Sequence, residues 1–192
     1  MHALAYFLRG LNSITRRLAI YIRITWLRLL YPGLYIDFGS TIESNCNIKC
    51  VKGGKLKINQ STILSGTQII SDASASIIID RSFIGRNCVI ASKKSIHIHK
   101  GCLVAEMVVI RDQNHSMDIT EDTQERDGFS CDPIVIEENV WIAAKATILK
   151  GVKIGESSIV AASSVINKSI PASEVWGGIP GKFLKDLKKA TV

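Results

Sequence analysis

At 192 residues the chain is about one domain long, and an apolar fraction of 46% is sufficient for a continuous core. Aromatic residues make up only 6%, which favours many small layers of aliphatic side chains. Five cysteines, an odd number without a second close pair, argue against a dense disulfide framework or a zinc site and indicate free thiols in the cytoplasm. The net charge of +7 leaves nucleic acid, an anionic membrane surface or an anionic cofactor as partners.

Residues 1–33 are predicted to form an amphipathic helix that ends at Pro32-Gly33. One face carries apolar residues at steps of three, four or seven: Phe7, Leu11, Ile14, Leu18, Ile22 and Leu29. The other face carries arginines every seven residues: Arg9, Arg16 and Arg23. No apolar run reaches the ~18–20 residues of a membrane span, and no segment resembles a signal peptide.

Two interpretations of this helix remain open. In the first, its apolar face packs on the chain's own body or on a partner subunit. In the second, residues 1–31 lie peripherally on the anionic inner face of the cell membrane. Few aromatic residues interleave with the basic stripe, so nucleic acid is not expected as a partner.

From Ile36 onward, aliphatic residues recur every six positions. The C-terminal run is unbroken: Ile136, Ile142, Ile148, Ile154, Val160 and Ile166. Earlier residues form triplets with longer spacers: Ile36, Ile42, Ile48; Ile58, Leu64, Ile70; Ile78, Ile84, Ile90; Ile98, Val104, Ile110. A period of six grouped in threes predicts a triangular coil with one short strand on each side.

The sequence therefore predicts an all-β fold, a parallel β-helix of about six coils over residues 34–182. Within the C-terminal tail, residues 183–192, the segment from Phe183 to Lys189 alternates apolar and basic side chains at helical spacing. This pattern predicts a short C-terminal helix that caps the last coil.

The hexads resemble those of the hexapeptide-repeat acyltransferases, whose fold is a left-handed parallel β-helix. Two further segments carry the resemblance. Asn139-Val140-Trp141-Ile142-Ala143 is similar to the family's Asn-Val-Trp-Ile-Gly, and the segment 175–182 is similar to its closing Gly-x-Pro-Ala-Lys/Arg. The resemblance implies a left-handed coil, acetyl-CoA as co-substrate and a homotrimer with active sites between subunits.

The six-residue pattern stops over residues 111–135, and a long excursion from a regular solenoid is a typical place for function. His115 lies there, and a neutral imidazole suits removal of a proton from an attacking hydroxyl. The segment containing Asp112, Asn114 and His115 resembles the Asp-x-Asn-His-Ser motif of the sugar and polysaccharide O-acetyltransferase branch, where the histidine is catalytic. The resemblance makes His115 the general base, with Asp112 and Glu106 as candidates to orient it or to contact the acceptor.

One position departs from the galactoside and maltose acetyltransferase branch. That branch has an acceptor-side asparagine about thirty residues before its histidine, where this sequence has Gly85 with Asn87 close by. The departure favours the polysaccharide-modifying branch, with Asn87 and Asn114 as predicted acceptor contacts.

In the family, acetyl-CoA lies in the groove between neighbouring prisms, where small residues at coil corners admit the pantetheine arm. The resemblance assigns cofactor contacts to eight residues of this sequence: Trp141, Ala143, Ala144, Ala161, Ala162, Asn167, Lys168 and Lys182. His97 and His99 are predicted to point outward from a strand, and no metal site is predicted.

The predicted function is acetyl-CoA-dependent O-acetylation of a sugar hydroxyl of a bacterial surface polysaccharide or its lipid-linked precursor. An N-acetyltransferase of an amino sugar or nucleotide sugar is the alternative within the family. A non-catalytic β-helix scaffold that docks on membranes through its helix is the alternative of another class.

Overall fold

The computed structural model of the chain describes residues 2–115 and 128–187, with only the backbone for residues 2–13. It begins with one long helix, α1 (His2–Leu30), followed by three-stranded coils. Coils 1 to 3 comprise β1 (Leu34–Ile36), β2 (Thr41–Ile42), β3 (Asn47–Cys50), β4 (Lys55–Asn59), β5 (Thr62–Ile63), β6 (Gln68–Ser71), β7 (Ser76–Asp80), β8 (Phe83–Ile84) and β9 (Val89–Ser92).

Coil 4 comprises β10 (Ser95–Ile98), β11 (Leu103–Val104) and β12 (Val109–Arg111), and a hairpin of β13 (Gln113–His115) and β14 (Phe129–Cys131) follows it. Coils 5 and 6 comprise β15 (Ile134–Ile136), β16 (Trp141–Ile142), β17 (Thr147–Ile148), β18 (Lys153–Ile154), β19 (Ile159–Val160) and β20 (Val165–Ile166). The chain then adds β21 (Glu174–Gly177) and β22 (Lys182–Asp186).

Successive coils stack in parallel register and build three sheets. Sheet A has the strand order β1-β4-β7-β10-β15-β18, sheet B has β2-β5-β8-β11-β16-β19-β21-β22, and sheet C has β3-β6-β9-β12-β17-β20. The predicted six-coil parallel β-helix is confirmed. We name the prism edge between sheets B and C the BC edge, and the edge where the chain passes from sheet C to sheet A the CA edge.

The core is a column of aliphatic side chains, with one or two from each strand of the coils. All six residues of the predicted C-terminal run are at most 1% exposed. In coils 2 and 3 the predicted frame is wrong by one residue, because Ile63, Ile69 and Ile79 are buried in place of Leu64, Ile70 and Ile78. The turn from sheet A to sheet B is one residue shorter there, and a one-residue slip turns every side chain to the other face.

The C-terminal segment differs from the prediction. Residues 182–186 form β22, which pairs antiparallel with β21 and extends sheet B, in place of a helix. Alternating apolar and polar residues such as Phe183 and Lys185 fit a strand period as well as a helical one, and pairing satisfies the edge of β21. Residues 188–192 of the predicted helix lie outside the described residues.

Helix α1 covers the open N-terminal end of the prism. Ile24 is fully buried and belongs to the same core cluster as Ile36 and Ile42, with Ile20 and Leu27 packed beside it. This stripe is not the predicted apolar face, whose described residues point away from the β-helix: Ile14, Leu18, Ile22 and Leu29 are 59–75% exposed. The side chains of Phe7 and Leu11 lie outside the described residues. The interpretation in which that face packs on the chain's own body is therefore wrong. Among the described residues, no helix combines the length and apolarity that crossing a bilayer requires.

Candidate active site

The predicted base lies on a hairpin that leaves the prism at the CA edge. Strands β13 and β14 pair antiparallel, with Asn114 opposite Ser130 and His115 opposite Phe129. His115 is exposed, and its ring lies 4.4 Å, centroid to centroid, from that of Phe129. The long loop predicted over 111–135 thus begins and ends in a short ribbon, while residues 116–127 lie outside the described residues.

Asp112 holds the base of this hairpin. Its carboxylate is fully buried and accepts hydrogen bonds from Ser92 Oγ (2.5 Å) and from the backbone N–H groups of Lys93 (2.8 Å), Lys94 (2.9 Å) and Ser95 (2.7 Å). A carboxylate offers about four acceptor positions, so these donors occupy its capacity. These contacts anchor the hairpin to residues 92–95, and the role of Asp112 in orienting His115 or contacting the acceptor stays a prediction.

Lys93 connects the prism to the histidine side of the hairpin. Its ammonium bonds Asp72 Oδ2 at 2.8 Å and lies 4.1 Å from the centre of the Phe129 ring, which in turn packs on His115. The Lys93 hydrogen bond is the main reason that the pKa of Asp72 falls below its ordinary value. Lys93 therefore contacts the aromatic ring on which His115 packs.

The segment that returns from the hairpin to the prism is held by hydrogen bonds of its own. Asp132 accepts a bond from Lys150 Nζ (2.7 Å), which is the main cause of its lowered pKa, and its N–H donates to the Asp112 carbonyl (2.9 Å). Lys94 Nζ donates to the Cys131 carbonyl at 3.2 Å. Sequence reasoning missed Lys93, Phe129 and Lys150, because each is far in the chain from the group it supports.

The predicted small-residue corner lies on the BC edge of coils 5 and 6. Ala143 and Ala144 join β16 to β17, and Ala161 and Ala162 join β19 to β20. The backbones are stacked, since Ser163 N–H donates to the Ala144 carbonyl at 2.9 Å. Ala162 is exposed, while the other three are half-buried. The edge therefore presents methyl groups and backbone to solvent over two coils.

Glu106 lies on the BC edge one coil nearer the helix. Its carbonyl accepts the N–H of Lys145, and its side chain is exposed. It is thus at the opposite side of sheet C from the His115 hairpin of the same chain. Within the described residues of one chain, these two predicted catalytic residues are not brought together.

Gly85 and Asn87 occupy the same edge in coil 3. A Cβ at Gly85 would lie 2.6 Å from the Ala105 carbonyl carbon, so an asparagine cannot fit there without a backbone shift. Asn87 has a positive φ of 56°, and its Oδ1 occupies the space that a Cβ on Gly66 would need. Asn87 therefore packs against Gly66 at the corner, and the residue is exposed on the Glu106 side of the prism.

The remaining predicted cofactor contacts divide between the edges. Trp141 is 48% exposed on sheet B, directly before the alanine pair, and Lys182 lies opposite Gly177, which packs on Ala161. Asn167 and Lys168 follow β20 and are exposed at the CA edge, two coils above the hairpin.

The outward histidines form a separate feature on sheet A. His97 and His99 stack with centroids 3.7 Å apart, and His99 Nε2 lies 3.8 Å from Glu137 Oε2. Both are half-buried. Desolvation, followed by the charge of His99, lowers the pKa of His97. Over the described ranges, no group of three or more His, Cys, Asp or Glu side chains converges as a metal ion would require.

Comparison with known proteins supports the repeat directly. The family model described as bacterial transferase hexapeptide (six repeats) matches residues 133–168. The hexapeptide-repeat acetyltransferase VCA0836 of Vibrio cholerae, solved with acetyl-CoA, superimposes with a TM-score of 0.59 at 26% identity. That alignment covers 91% of this chain and 85% of VCA0836. The predicted resemblance to hexapeptide-repeat acyltransferases is confirmed.

Two curated relatives differ in the chemistry that their names describe. The 2,3,4,5-tetrahydropyridine-2,6-dicarboxylate N-acetyltransferase of Clostridium perfringens is 48% identical over 59 residues, 31% of this chain and 25% of its own. The putative lipopolysaccharide biosynthesis O-acetyl transferase WbbJ of Escherichia coli is 33% identical over 109 residues, 53% of this chain and 56% of its own. The chain spans a quarter and about half of the length of these relatives.

Proposed function

We propose that this hexapeptide-repeat β-helix is an acetyl-CoA-dependent O-acetyltransferase that modifies a sugar hydroxyl of a bacterial surface polysaccharide or its lipid-linked precursor. The observation that carries the proposal is an exposed histidine on an anchored hairpin at one edge of sheet C, with an exposed small-residue corner at the other. The Asp-x-Asn-His-Ser resemblance and the similarity to WbbJ support oxygen as the acceptor atom.

The reaction follows from the properties of the two edges. The His115 imidazole takes the proton of the acceptor hydroxyl as its oxygen attacks the acetyl carbonyl carbon, and backbone donors stabilise the resulting oxyanion. The carbon–sulfur bond then breaks, and the CoA sulfur leaves with the proton returned by the imidazolium. The thioester is already activated, so no acyl-enzyme intermediate is needed.

The two edges of one chain face different directions, so we propose that the site forms between subunits of a homotrimer. His115 and Asn114 come from one chain. The alanine corner, with Trp141 and Lys182 beside it, comes from its neighbour. Glu106 and Asn87 lie on the same BC edge as the alanines and on this arrangement would line the acceptor side.

The first test measures CoA release from acetyl-CoA with bacterial polysaccharides and lipid-linked oligosaccharides as acceptors. We expect His115→Ala to lower kcat by about 10²–10⁴, the usual contribution of a general base, with acetyl-CoA binding retained. His99→Ala is the matched control, since this histidine lies on sheet A, and it should retain full activity. Wild-type protein that binds no acetyl-CoA would refute the proposal and favour the scaffold alternative.

A mixing experiment tests the intersubunit site. His115→Ala and Ala162→Trp are each expected to be inactive, the second through obstruction of the groove. Trimers mixed at random from equal amounts of the two variants should recover about one quarter of the sites. A site is intact only when one subunit supplies an unmutated His115 and its neighbour supplies an unmutated Ala162. Mixed trimers without activity would show that both halves must come from one chain.

The N-acetyltransferase alternative is favoured by the 48% identity to the Clostridium perfringens enzyme over 59 residues. Acceptor pairs that differ only in a hydroxyl or an amine separate the two reactions. Faster CoA release with the amine would move the assignment to amino sugars while leaving His115 as base.

A further inference from the structure

The outward face of α1 is an unpartnered apolar surface on a stable support. Ile14, Leu18, Ile22, Trp26 and Leu29 are 59–75% exposed. They lie about half a turn around the helix from Ile20 and Ile24, which fix α1 to the core. We name these five residues the outward face. Large exposed apolar surfaces on soluble folds mark places of contact with another molecule or with lipid.

Three arginines of α1 are turned toward the prism. Arg16 forms an ion pair with Glu43 at 2.8 Å, and Arg23 donates to the Ile42 carbonyl at 2.5 Å. Arg28 donates to the Ile36 carbonyl. These bonds fix the rotation of α1 about its axis, so the apolar stripe is directed away from the prism by contacts on both of its flanks.

A rim of aromatic side chains and cations borders the outward face. Tyr21 and Phe38 have ring centroids 5.6 Å apart, and the Arg28 guanidinium lies 4.3 Å from the Phe38 ring and 5.1 Å from the Tyr35 ring. Lys57 Nζ lies 5.9 Å from the Tyr35 ring. Aromatic residues beside basic groups are typical of surfaces at the level of lipid headgroups.

The charge of the chain is concentrated at this end. Residues 1–57 contain nine Lys or Arg and two acidic residues, which accounts for the whole net charge of +7, while residues 58–192 are balanced. Exposed lysines of the first two coils surround the capped end: Lys49, Lys52, Lys55 and Lys57. An apolar stripe bordered by cations is complementary to the surface of an anionic lipid bilayer.

We propose that the capped end of the prism docks on an anionic lipid bilayer, with the outward face inserted at the headgroup level and the coil-1 and coil-2 lysines on the lipid phosphates. An amphipathic helix held at the end of a solenoid directs the coils away from the membrane. The inference does not depend on the identity of the transferred group, and it gives a physical reason for a lipid-linked acceptor.

The test is co-sedimentation of the full chain with vesicles of phosphatidylglycerol and phosphatidylethanolamine, and with vesicles of phosphatidylcholine alone. We expect binding to the anionic vesicles that weakens as salt rises, since the Debye length falls from about 10 Å at 0.1 M to about 3 Å at 1 M. The triple variant Ile22→Gln, Trp26→Gln, Leu29→Gln should lose about tenfold or more in affinity. Lys49→Gln and Lys55→Gln should each lose about fivefold.

Two matched variants complete the design. Leu103→Gln replaces an apolar residue that is 55% exposed on sheet B, and it should bind vesicles as the wild type does. Trp26→Phe should bind normally but abolish the blue shift in tryptophan fluorescence that vesicles induce. Circular dichroism and size-exclusion chromatography of each variant confirm its fold and assembly.

Equal binding of the triple variant, or equal binding to phosphatidylcholine vesicles, would overturn the proposal. So would a triple variant whose oligomer dissociates, because another subunit would then cover the face. Loss of vesicle binding with acetyl transfer to a soluble acceptor intact would support docking and leave the catalytic proposal untouched.

Discussion

The two edges of sheet C are built by different means. At the BC edge, small residues repeat over coils 5 and 6, and each corner is positioned by the backbone of the coil below it. At the CA edge, the hairpin is positioned by the side chain of Asp112, which four donors from residues 92–95 surround. The first edge is held by the backbone bonds of the stack itself, whereas the second depends mainly on side-chain contacts, chiefly those of the buried Asp112. Substitutions should therefore separate the hairpin from the prism more easily than they disturb the small-residue corner.

The largest effect is expected for Asp112→Ala. The change leaves the Ser92 hydroxyl and three backbone N–H groups without their acceptor, and each buried unpaired donor costs about 1–3 kcal/mol. Allowing for rescue by water, we expect a loss of about 3 kcal/mol in the free energy of unfolding and loss of acetyl transfer, measured by urea denaturation and CoA release.

Asn114→Ala, on the exposed part of the same hairpin, is the control for Asp112→Ala. It should change the free energy of unfolding by less than about 0.5 kcal/mol. A stable Asp112→Ala protein with wild-type kcat would contradict the anchoring role and the contrast between the two edges.

A smaller effect is expected on the other edge from Gly85→Asn. The new Cβ would meet the backbone of Ala105 and Glu106 at 2.6–2.8 Å, so the corner must shift, at about 1–3 kcal/mol for an overpacked site. Thermal unfolding measures the cost. The control is Ala162→Ser at an exposed position of the same edge, which should have the wild-type melting temperature. An unchanged melting temperature for Gly85→Asn would show that the backbone at this corner can shift without a cost in stability.

The smallest effect is expected for Lys93→Met, which removes the ion pair with Asp72 and the contact with Phe129. The lowered pKa of Asp72 means that the pair stabilises the fold above the carboxyl's ordinary pKa of about 3.9, and that this contribution disappears as pH falls through the lowered value. The partial exposure of the pair limits the loss to below about 1 kcal/mol.

The measurement is the free energy of unfolding of wild type and Lys93→Met between pH 3 and pH 6. The two curves should be separated by a constant amount at the upper end and converge at the lower end. In an Asp72→Asn background the effect of Lys93→Met should no longer change with pH, and wild-type and Lys93→Met curves that diverge on acidification would contradict a stabilising pair. A several-fold fall in kcat would further link Lys93 to the position of His115.

The sequence predicts the repeated parts of the molecule well and the unique parts less well. The hexad run from Ile136 to Ile166 predicts both the coil and the buried residues, because every coil of a solenoid repeats the same strands and turns. The frame fails at Leu64 and Ile70, where a turn of different length shifts the register. The C-terminal prediction of a helix is wrong because a short alternating segment fits both periods, and the unpaired edge of β21 decides between them.

The candidate site shows the same division. The exposed His115 and the alanine corner follow from local motifs, whereas the role of Asp112 depends on residues 92–95, some twenty positions earlier in the chain. The register that pairs Arg111 with Ala91 places Asp112 beside Ser92. The twenty-residue length of the coil could therefore have predicted that Asp112 lies next to Ser92. The rotation of α1 is not predictable from its pattern, since the helix carries two apolar stripes and the bonds of its arginines select the one that faces inward.

The regular spacing of the coils also sets a height. If the capped end rests on a bilayer, the hairpin at coil 4 stands three strand spacings of about 4.8 Å above coil 1, and α1 adds about 10 Å beneath it. The reactive imidazole would then be held on the order of 25 Å above the lipid phosphates, beyond the reach of a sugar attached directly to a headgroup. The height of the prism would then restrict acetylation to acceptors whose glycan has reached a minimum length.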